Sequence, residues 1–249
     1  YDATEGDMHR DMAAECYLLD KTEVTKATRQ MTKGGFVFAE FYGDWYKQVT
    51  KNLWDGIDRY NLTAADGCGL YDHLANAHGI TQRGACDPKV QGEPEPGTFE
   101  AHIKKVEDRF WNDRFKVYHA KRKAWVELYK KQGYIDLVTG FRCQGPMTKN
   151  QIINYPIQGP SFHCLLWSLI RIMHLIKKSR MGAKIIGQIH DSIIADVPIP
   201  EVPEYLAMAR DVTTKQLHEH WDWLTVPLKV EAEMSEVNWH EKKPVKIPA

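Results

Sequence analysis

The sequence predicts an α+β fold with an antiparallel sheet, and three observations carry that expectation. Helical periodicity dominates the first half of the 249 residues. The second half interleaves helical stretches with short apolar runs that meet at tight turns. No internal repeat is present, and the order of mostly helices followed by helices mixed with hairpins is that of an α+β chain.

Taken in order, apolar residues recur at helical spacing over residues 8–19 and 23–46, the second stretch with Thr22 as its N-cap, and residues 51–57 continue in the same style. From Asn61 to Gly97 the chain turns rich in Gly, Asp and Pro, ending in Gly92-Glu-Pro-Glu-Pro-Gly97, the composition of a linker or exposed insertion. A long helix is expected over 99–131, with Phe110, Trp111, Phe115, Tyr118, Trp125, Leu128 and Tyr129 among many Lys and Arg, and Gly133 stops it. Residues 134–142 predict a short hairpin turning at Thr139-Gly140. Residues 148–178 predict a helix after Pro156, residues 184–197 a second hairpin, 203–220 a helix and 226–233 a strand. Cys164 and Trp167, inside the apolar run, are expected in the core.

Hydrophobic residues make up 43% and charged residues 27% of the chain, the balance of an ordinary soluble globular protein. Its 249 residues are enough to bury a sizeable core. Lys plus Arg and Asp plus Glu both number 33, so there is no net charge and any nucleic-acid contact rests on local patches. Two such patches, Lys121-Arg122-Lys123 and Lys130-Lys131, are interleaved with Trp125 and Tyr129 and suit either DNA phosphates or a solvated helix face. No apolar run approaches the roughly 20 residues of a membrane span, and the first residues lack a signal pattern. The expectation is a cytoplasmic protein, in the host cytoplasm if viral, without membrane contact. Five cysteines without framework spacing predict reduced thiols. Cys68, His73, His78 and Cys86 match no familiar zinc spacing and read as ordinary loop residues. The first residue is Tyr1 and not Met, and the opening reads like the interior of a longer sequence.

Two segments carry chemistry. In Ile186-Gly-Gln-Ile-His-Asp-Ser-Ile-Ile-Ala-Asp-Val197 two apolar runs meet at His190, Asp191 and Ser192, so a hairpin turn holds one carboxylate at its tip. A carboxylate fixed there suits gripping a divalent metal. In Arg29-Gln-Met-Thr-Lys33-Gly-Gly-Phe-Val-Phe38-Ala-Glu-Phe-Tyr42-Gly43 the two cations stand four residues apart and project from one helix face. Arg as a fork and Lys as a point charge suit an oligophosphate, and Phe38 and Tyr42, again four apart, offer flat surfaces to a base.

Arg-x-x-x-Lys followed by Phe and Tyr-Gly, then Asn154-Tyr-Pro-Ile-Gln158-Gly, then His-Asp in a hairpin, resembles the C-terminal part of the DNA polymerase I (A-family) DNA polymerases. Glu5-Gly-Asp7-Met-His9 is similar to their Gly-x-Asp-x-His segment, and Val226-Pro-Leu-Lys-Val-Glu231 to their closing strand. The resemblance spans nearly the whole chain, broken mainly at about 61–97. It implies a right-hand polymerase fold, with helical fingers over 1–131 and an antiparallel-sheet palm over 132–249, and points to a viral or phage-like member. It implies that His9, Arg29 and Lys33 contact the incoming dNTP, with Phe38 and Tyr42 near its sugar and base. Arg142, Asn154, Gln158 and His190 would contact primer–template DNA, the two amides through minor-groove acceptors common to every correct pair. Lys33, His190 and Asp191 would be catalytic, and Asp191 would ligate two magnesium ions.

Three departures qualify the resemblance. The family spaces its Lys eight residues before the Tyr, whereas Lys33 to Tyr42 is nine; on a straight helix that puts them on roughly opposite faces. A bulge at Gly34-Gly35 restores the geometry, the alternative being a register that aligns Val37 and Phe41. Ser192 replaces the Glu usual after His-Asp, and His-Asp-Ser also resembles single-subunit phage RNA polymerases. The Asp-x-Ser-x-x-Glu segment that supplies the other metal-binding Asp is absent; Asp196 and Glu231 do not occupy its place. The expectation is therefore a DNA-directed DNA polymerase, incomplete as this chain alone, whose second Asp and thumb come from an upstream portion or a second chain. The rivals are a single-subunit RNA polymerase, against which Asn154 to Gly159 and Phe38 stand, and a non-catalytic nucleic-acid-binding subunit.

Overall fold

The computed structural model describes residues 6–248. Glu5, the first residue of the Glu5-Gly-Asp7-Met-His9 segment, lies outside the described residues. The chain forms two compact units: Tyr1–Tyr134 with Gln144–Asn154, and Ile135–Cys143 with Tyr155–Ala249.

The first unit is helical. Helix α1 (Met8–Tyr17) starts because Asp7 Oδ1 accepts from the backbone N–H groups of His9 and Arg10, both at 3.1 Å, and it ends at Leu18 in the left-handed region. Helix α2 (Lys26–Thr32) begins later than expected: its N-cap is Thr25, not Thr22, since Val24 is held extended in a bridge with Ala64. A π-helical segment, Lys33–Phe38, then leads into α3 (Ala39–Tyr42), which Gly43 closes at φ 103°. Helix α4 (Tyr46–Arg59) starts before the expected residue 51 and turns Val49, Leu53 and Ile57 inward at helical spacing. The Gly- and Pro-rich stretch is not all linker, because it contains α5 (Leu70–His78), whose Leu70 and Leu74 are fully buried.

The long helix expected over 99–131 is two. Helix α6 (Phe99–Arg109) runs into a π segment, Phe110–Arg114, the backbone breaks at Phe115, and α7 (Lys116–Gln132) follows to left-handed Gly133. The interruption turns Phe110, Trp111 and Phe115 together onto Phe41, with ring centroids 5.2–5.7 Å away. On a straight helix Phe110 would stand about 100–140° around the axis from Trp111 and Phe115. They join a core that includes Met12, Cys16, Tyr17, Phe36, Leu53, Phe99, Ile103 and Val106. On α7 no residue is buried; Arg122 lies over the Trp111 ring at 4.2 Å, while Lys121, Lys123, Lys130 and Lys131 are exposed.

The second unit holds the small sheets. The described residues form three two-stranded sheets: β1 (Tyr134–Asp136) with β2 (Arg142–Gln144), β3 (Lys184–Ile189) with β4 (Ser192–Asp196), and β5 (Ala232–Met234) with β6 (Lys243–Val245). The expected strand over 226–233 thus shrinks to its last residues, and Glu231 is not on a strand. Pro227, which has no N–H to donate, fits that outcome. Helix α8 (Lys149–Ser179) starts well before Pro156 and carries both Pro156 and Pro160 inside it. The cause is a reciprocal cap: Thr148 Oγ1 accepts from Gln151 N, and Gln151 Oε1 accepts from Thr148 N at 2.8 Å. Helices α9 (Val202–Asp211) and α10 (Leu217–His220) are joined by a third π segment, Val212–Gln216. Ile172, Ile176, Ala183, Tyr205 and Val212 form this unit's core; Trp167 packs at its edge, stacked on His220 at 4.8 Å, and Cys164 is half-buried. No helix of the described residues is long and apolar enough to cross a membrane.

Candidate active site

The π segment decides how α2 and α3 present their side chains. One extra residue in a helix rotates everything after it by about 100°, and a π turn absorbs that residue. Nine residues from Lys33 to Tyr42 therefore act as eight. Val37 and Phe36 point into the core with no exposure, and Phe41 packs among Phe110, Trp111, Phe115 and Tyr118. Phe38 and Tyr42 face outward, 41% and 48% exposed, with ring centroids 6.2 Å apart.

Five of the residues singled out in the sequence meet on this surface. Lys33 Nζ lies over the Phe38 ring at 5.3 Å, and the His9 ring meets Phe38 edge-on at 5.8 Å. Arg29 Nε donates to Asp7 Oδ2 at 2.6 Å, a contact that orients the guanidinium and holds the Asp7 carboxyl below the usual carboxylate range. Burial pushes the His9 imidazole down, and the charges of Arg29 and Lys33 push the same way against that of Asp7, which favours its neutral form. Its Nδ1 is buried without a hydrogen-bond partner among the described residues. Lys33 and the part of the Arg29 guanidinium not turned to Asp7 can receive an anion beside the imidazole. Asn154, in the same unit, donates from Nδ2 to the carbonyl of Tyr42 at 3.3 Å. Asn150 lies so close to Gly43 that a Cβ there would sit 2.5 Å from its Oδ1.

Arg142, Gln158, His190 and Asp191 belong to the second unit. In the β3–β4 hairpin Ile189 pairs with Ser192, which leaves His190 and Asp191 as the turn, both exposed, with His190 left-handed at φ 50° and its carbonyl accepting from Gln188 Nε2 at 2.6 Å. Asp196 pairs with Lys184 at the other end of the hairpin. At about 3.3 Å per residue that is roughly 15 Å from Asp191, too far to share an ion with it. Among the described residues no three His, Cys, Asp or Glu side chains stand together as a metal would need. The donors among the described residues therefore do not by themselves fit a two-ion site. Arg142 is held by Asp136 through two contacts of 2.7 and 3.0 Å, which lower the Asp136 carboxyl. Gln158 is exposed on α8, and next to it Gly159 leaves no room for a Cβ, which would lie 2.5 Å from Leu137 Cδ1. His73 and His78 both direct Nε2 at the Leu18 carbonyl, at 3.0 and 3.2 Å, and Cys86 is buried with its N–H on Glu100.

A solved structure described as the POL domain of Pol1 from M. smegmatis, in complex with DNA primer-template and dNTP, superposes with a TM-score of 0.54 over 85% of this chain and 31% of that one, at 19% identity. The chain thus has the fold of a nucleic-acid polymerase domain. The profile of DNA polymerase family A matches residues 98–241, more than half of the sequence, and the chain belongs to that family. DNA polymerase I of Lactococcus lactis subsp. lactis is 32% identical over 130 residues, covering 51% of this chain and 14% of that protein. DNA polymerase I of Chloroflexus aurantiacus is 25% identical over 130 residues, covering 48% and 13%. The chloroplastic/mitochondrial DNA polymerase I A of Arabidopsis thaliana is 26% identical over 152 residues, covering 55% and 14%. The chain spans about one seventh of the length of these relatives. One exposed residue beside the site, Trp45, escaped the sequence reading because no motif contains it.

Proposed function

We propose that this chain supplies the fingers (residues 1–131) and most of the palm (residues 132–249) of a DNA-directed DNA polymerase, of viral or phage-like type, and takes part in template-directed transfer of deoxynucleotides to a primer 3′-hydroxyl. The observation that carries the reading is the cluster of His9, Arg29, Lys33, Phe38 and Tyr42 gathered by the π segment. In it Arg29 and Lys33 hold the triphosphate, and His9 adds a neutral hydrogen-bonding nitrogen. Phe38 and Tyr42 lie against sugar and base. Arg142, Asn154 and Gln158 hold primer–template DNA, and His190 lies against the primer end. Asp191 gives one of the carboxylates that magnesium needs. The second Asp, with the thumb, comes from an upstream portion or a partner chain, since a pair of ions is not held by one carboxylate.

The test is primer extension by the purified 249-residue chain with magnesium, alone and with a family portion carrying the missing Asp. The expected result is no synthesis alone and dNTP-dependent extension on complementation, abolished by Asp191→Asn. Robust synthesis by the chain alone defeats the requirement for a second carboxylate source, and preference for NTPs turns the reading to an RNA polymerase. The lone carboxylate of Asp191 also favours a second reading, a non-catalytic nucleic-acid-binding subunit, whose outcome is DNA binding without synthesis even on complementation.

A further inference from the structure

We infer that Trp45 is a stacking platform for an unpaired nucleic-acid base, the next template base beyond the pair being formed; the inference rests on the polymerase reading above. Trp45 is 41% exposed, although a tryptophan ring has much to gain from burial. It sits at the N-cap of α4 in extended conformation, two residues after the left-handed Gly43 that ends the segment bearing Phe38 and Tyr42. Three large aromatics are thus exposed in succession around one turn.

The ring is held without being covered. Tyr46 meets it edge-on at 5.4 Å, and the Lys47 ammonium lies 5.5 Å from its centroid and 5.8 Å from that of Tyr46. Lys47 is only 4% exposed. A buried ammonium is costly unless its hydrogens are taken, and here the carbonyls of Asp87 and Val90 take them at 2.7 and 2.6 Å. Residues 61–97 therefore strap down the cation that supports Trp45. That occupied cation is withdrawn from any phosphate, so what this position offers a ligand is the exposed part of the indole. Base–aromatic stacking tolerates any sequence, as a template contact must.

The probes are primer–template duplexes with a 5′ template overhang carrying 2-aminopurine at the first unpaired position, compared with blunt duplexes. The wild-type chain is expected to quench the fluorophore and to prefer the overhang. Trp45→Leu is expected to lose the quenching and about 5- to 150-fold of that preference, the range that one base–aromatic stack supplies. Trp45→Phe keeps most of both, and blunt-duplex affinity stays unchanged in both variants. Retained quenching and preference in Trp45→Leu, or a wild type that binds duplex but ignores the overhang, overturns the inference and leaves the polymerase reading standing. Failure of the wild type to bind any DNA, alone or complemented, removes both.

Discussion

Replacing Glu40 by Gln tests the interior of the first unit most directly. Glu40 lies two residues before Tyr42 and is 0% exposed. Its Oε2 accepts from Trp111 Nε1 at 2.8 Å, while Oε1 is buried without a partner among the described residues. Glu107, beside it, accepts from Tyr46 N at 2.7 Å. Burial first, and the neighbouring Glu107 second, push the Glu40 carboxyl up from 4.5 to about 9; burial raises Glu107 as well. A proton on Glu40 gives Oε1 a hydrogen to direct at Glu107, which resolves both the orphan oxygen and the repulsion. In the unfolded chain this group releases its proton near 4.5. Between those values the folded state binds one proton more than the unfolded state. The stabilisation is therefore fully present below the unfolded value and is lost as pH rises through the folded one, at about 1 kcal/mol per pH unit. From pH 6 to pH 8 the loss is roughly 2–3 kcal/mol. The glutamine side chain copies the protonated acid, accepting from Trp111 and donating to Glu107, but does not titrate. Urea unfolding followed by tryptophan fluorescence at pH 6, 7, 8 and 9 reads the difference between Glu40→Gln and wild type. Histidines and other groups away from the Glu40–Glu107 pair titrate alike in both proteins and cancel. The expected result is a difference that grows in favour of Glu40→Gln with each pH unit. Parallel curves over this range would refute the shared proton.

Three further perturbations follow from the same unit. Deleting Gly34, beside which a Cβ would meet open space, restores the eight-residue spacing without the π turn; fold and dNTP binding should both survive, as circular dichroism and nucleotide titration would read, and loss of either contradicts the compensation argument. Gly43→Ala places a Cβ at φ 103° and 2.5 Å from Asn150 Oδ1, and should cost about 1–3 kcal/mol, read as a lowered Tm. Lys47→Met strips the donor from the Asp87 and Val90 carbonyls, at about 1–3 kcal/mol for each buried acceptor left unpaired, and limited proteolysis should then cut near residues 87–97 faster than in wild type.

The sequence made the site legible where chemistry and spacing coincide. Arg29 and Lys33 are one turn apart whatever the tertiary context, and a His-Asp pair between two apolar runs has little choice but to be a turn. The π segment was legible as a conflict: a nine-residue spacing where eight was needed, beside two glycines. The second π segment left no such mark, because Phe110 to Phe115 read as a regular aromatic stripe, and only the demand that three rings meet Phe41 breaks the helix there. The start of α8 is hidden by Pro156, which breaks the helical pattern in the sequence, whereas the Thr148–Gln151 cap begins the helix upstream of it and the interior proline costs a backbone hydrogen bond without moving that start. The strand at 226–233 does not form over its whole length because alternation describes a strand's faces and not its partner, and the pairing with Lys243–Val245 selects Ala232–Met234.

Several of the buried and half-buried polar groups of the first unit share one address. The Glu40 and Glu107 carboxyls, Trp111 Nε1, the Tyr46 N–H and the Lys47 ammonium all lie on or against residues 40–47, immediately around Tyr42 and Gly43. Apolar side chains of similar volume would pack this region at less desolvation cost, so stability alone does not account for them. Hydrogen bonds, unlike apolar contacts, fix direction, and each of these fixes a backbone or ring bordering the turn from which Phe38, Tyr42 and Trp45 emerge. Exposed aromatics lose packing and would otherwise wander among rotamers; a polar scaffold beneath them keeps their faces aimed while leaving them exposed. The protonation of Glu40 is the condition on which that scaffold closes, so orientation of the exposed rings and the alkaline loss of stability should appear over the same range of pH.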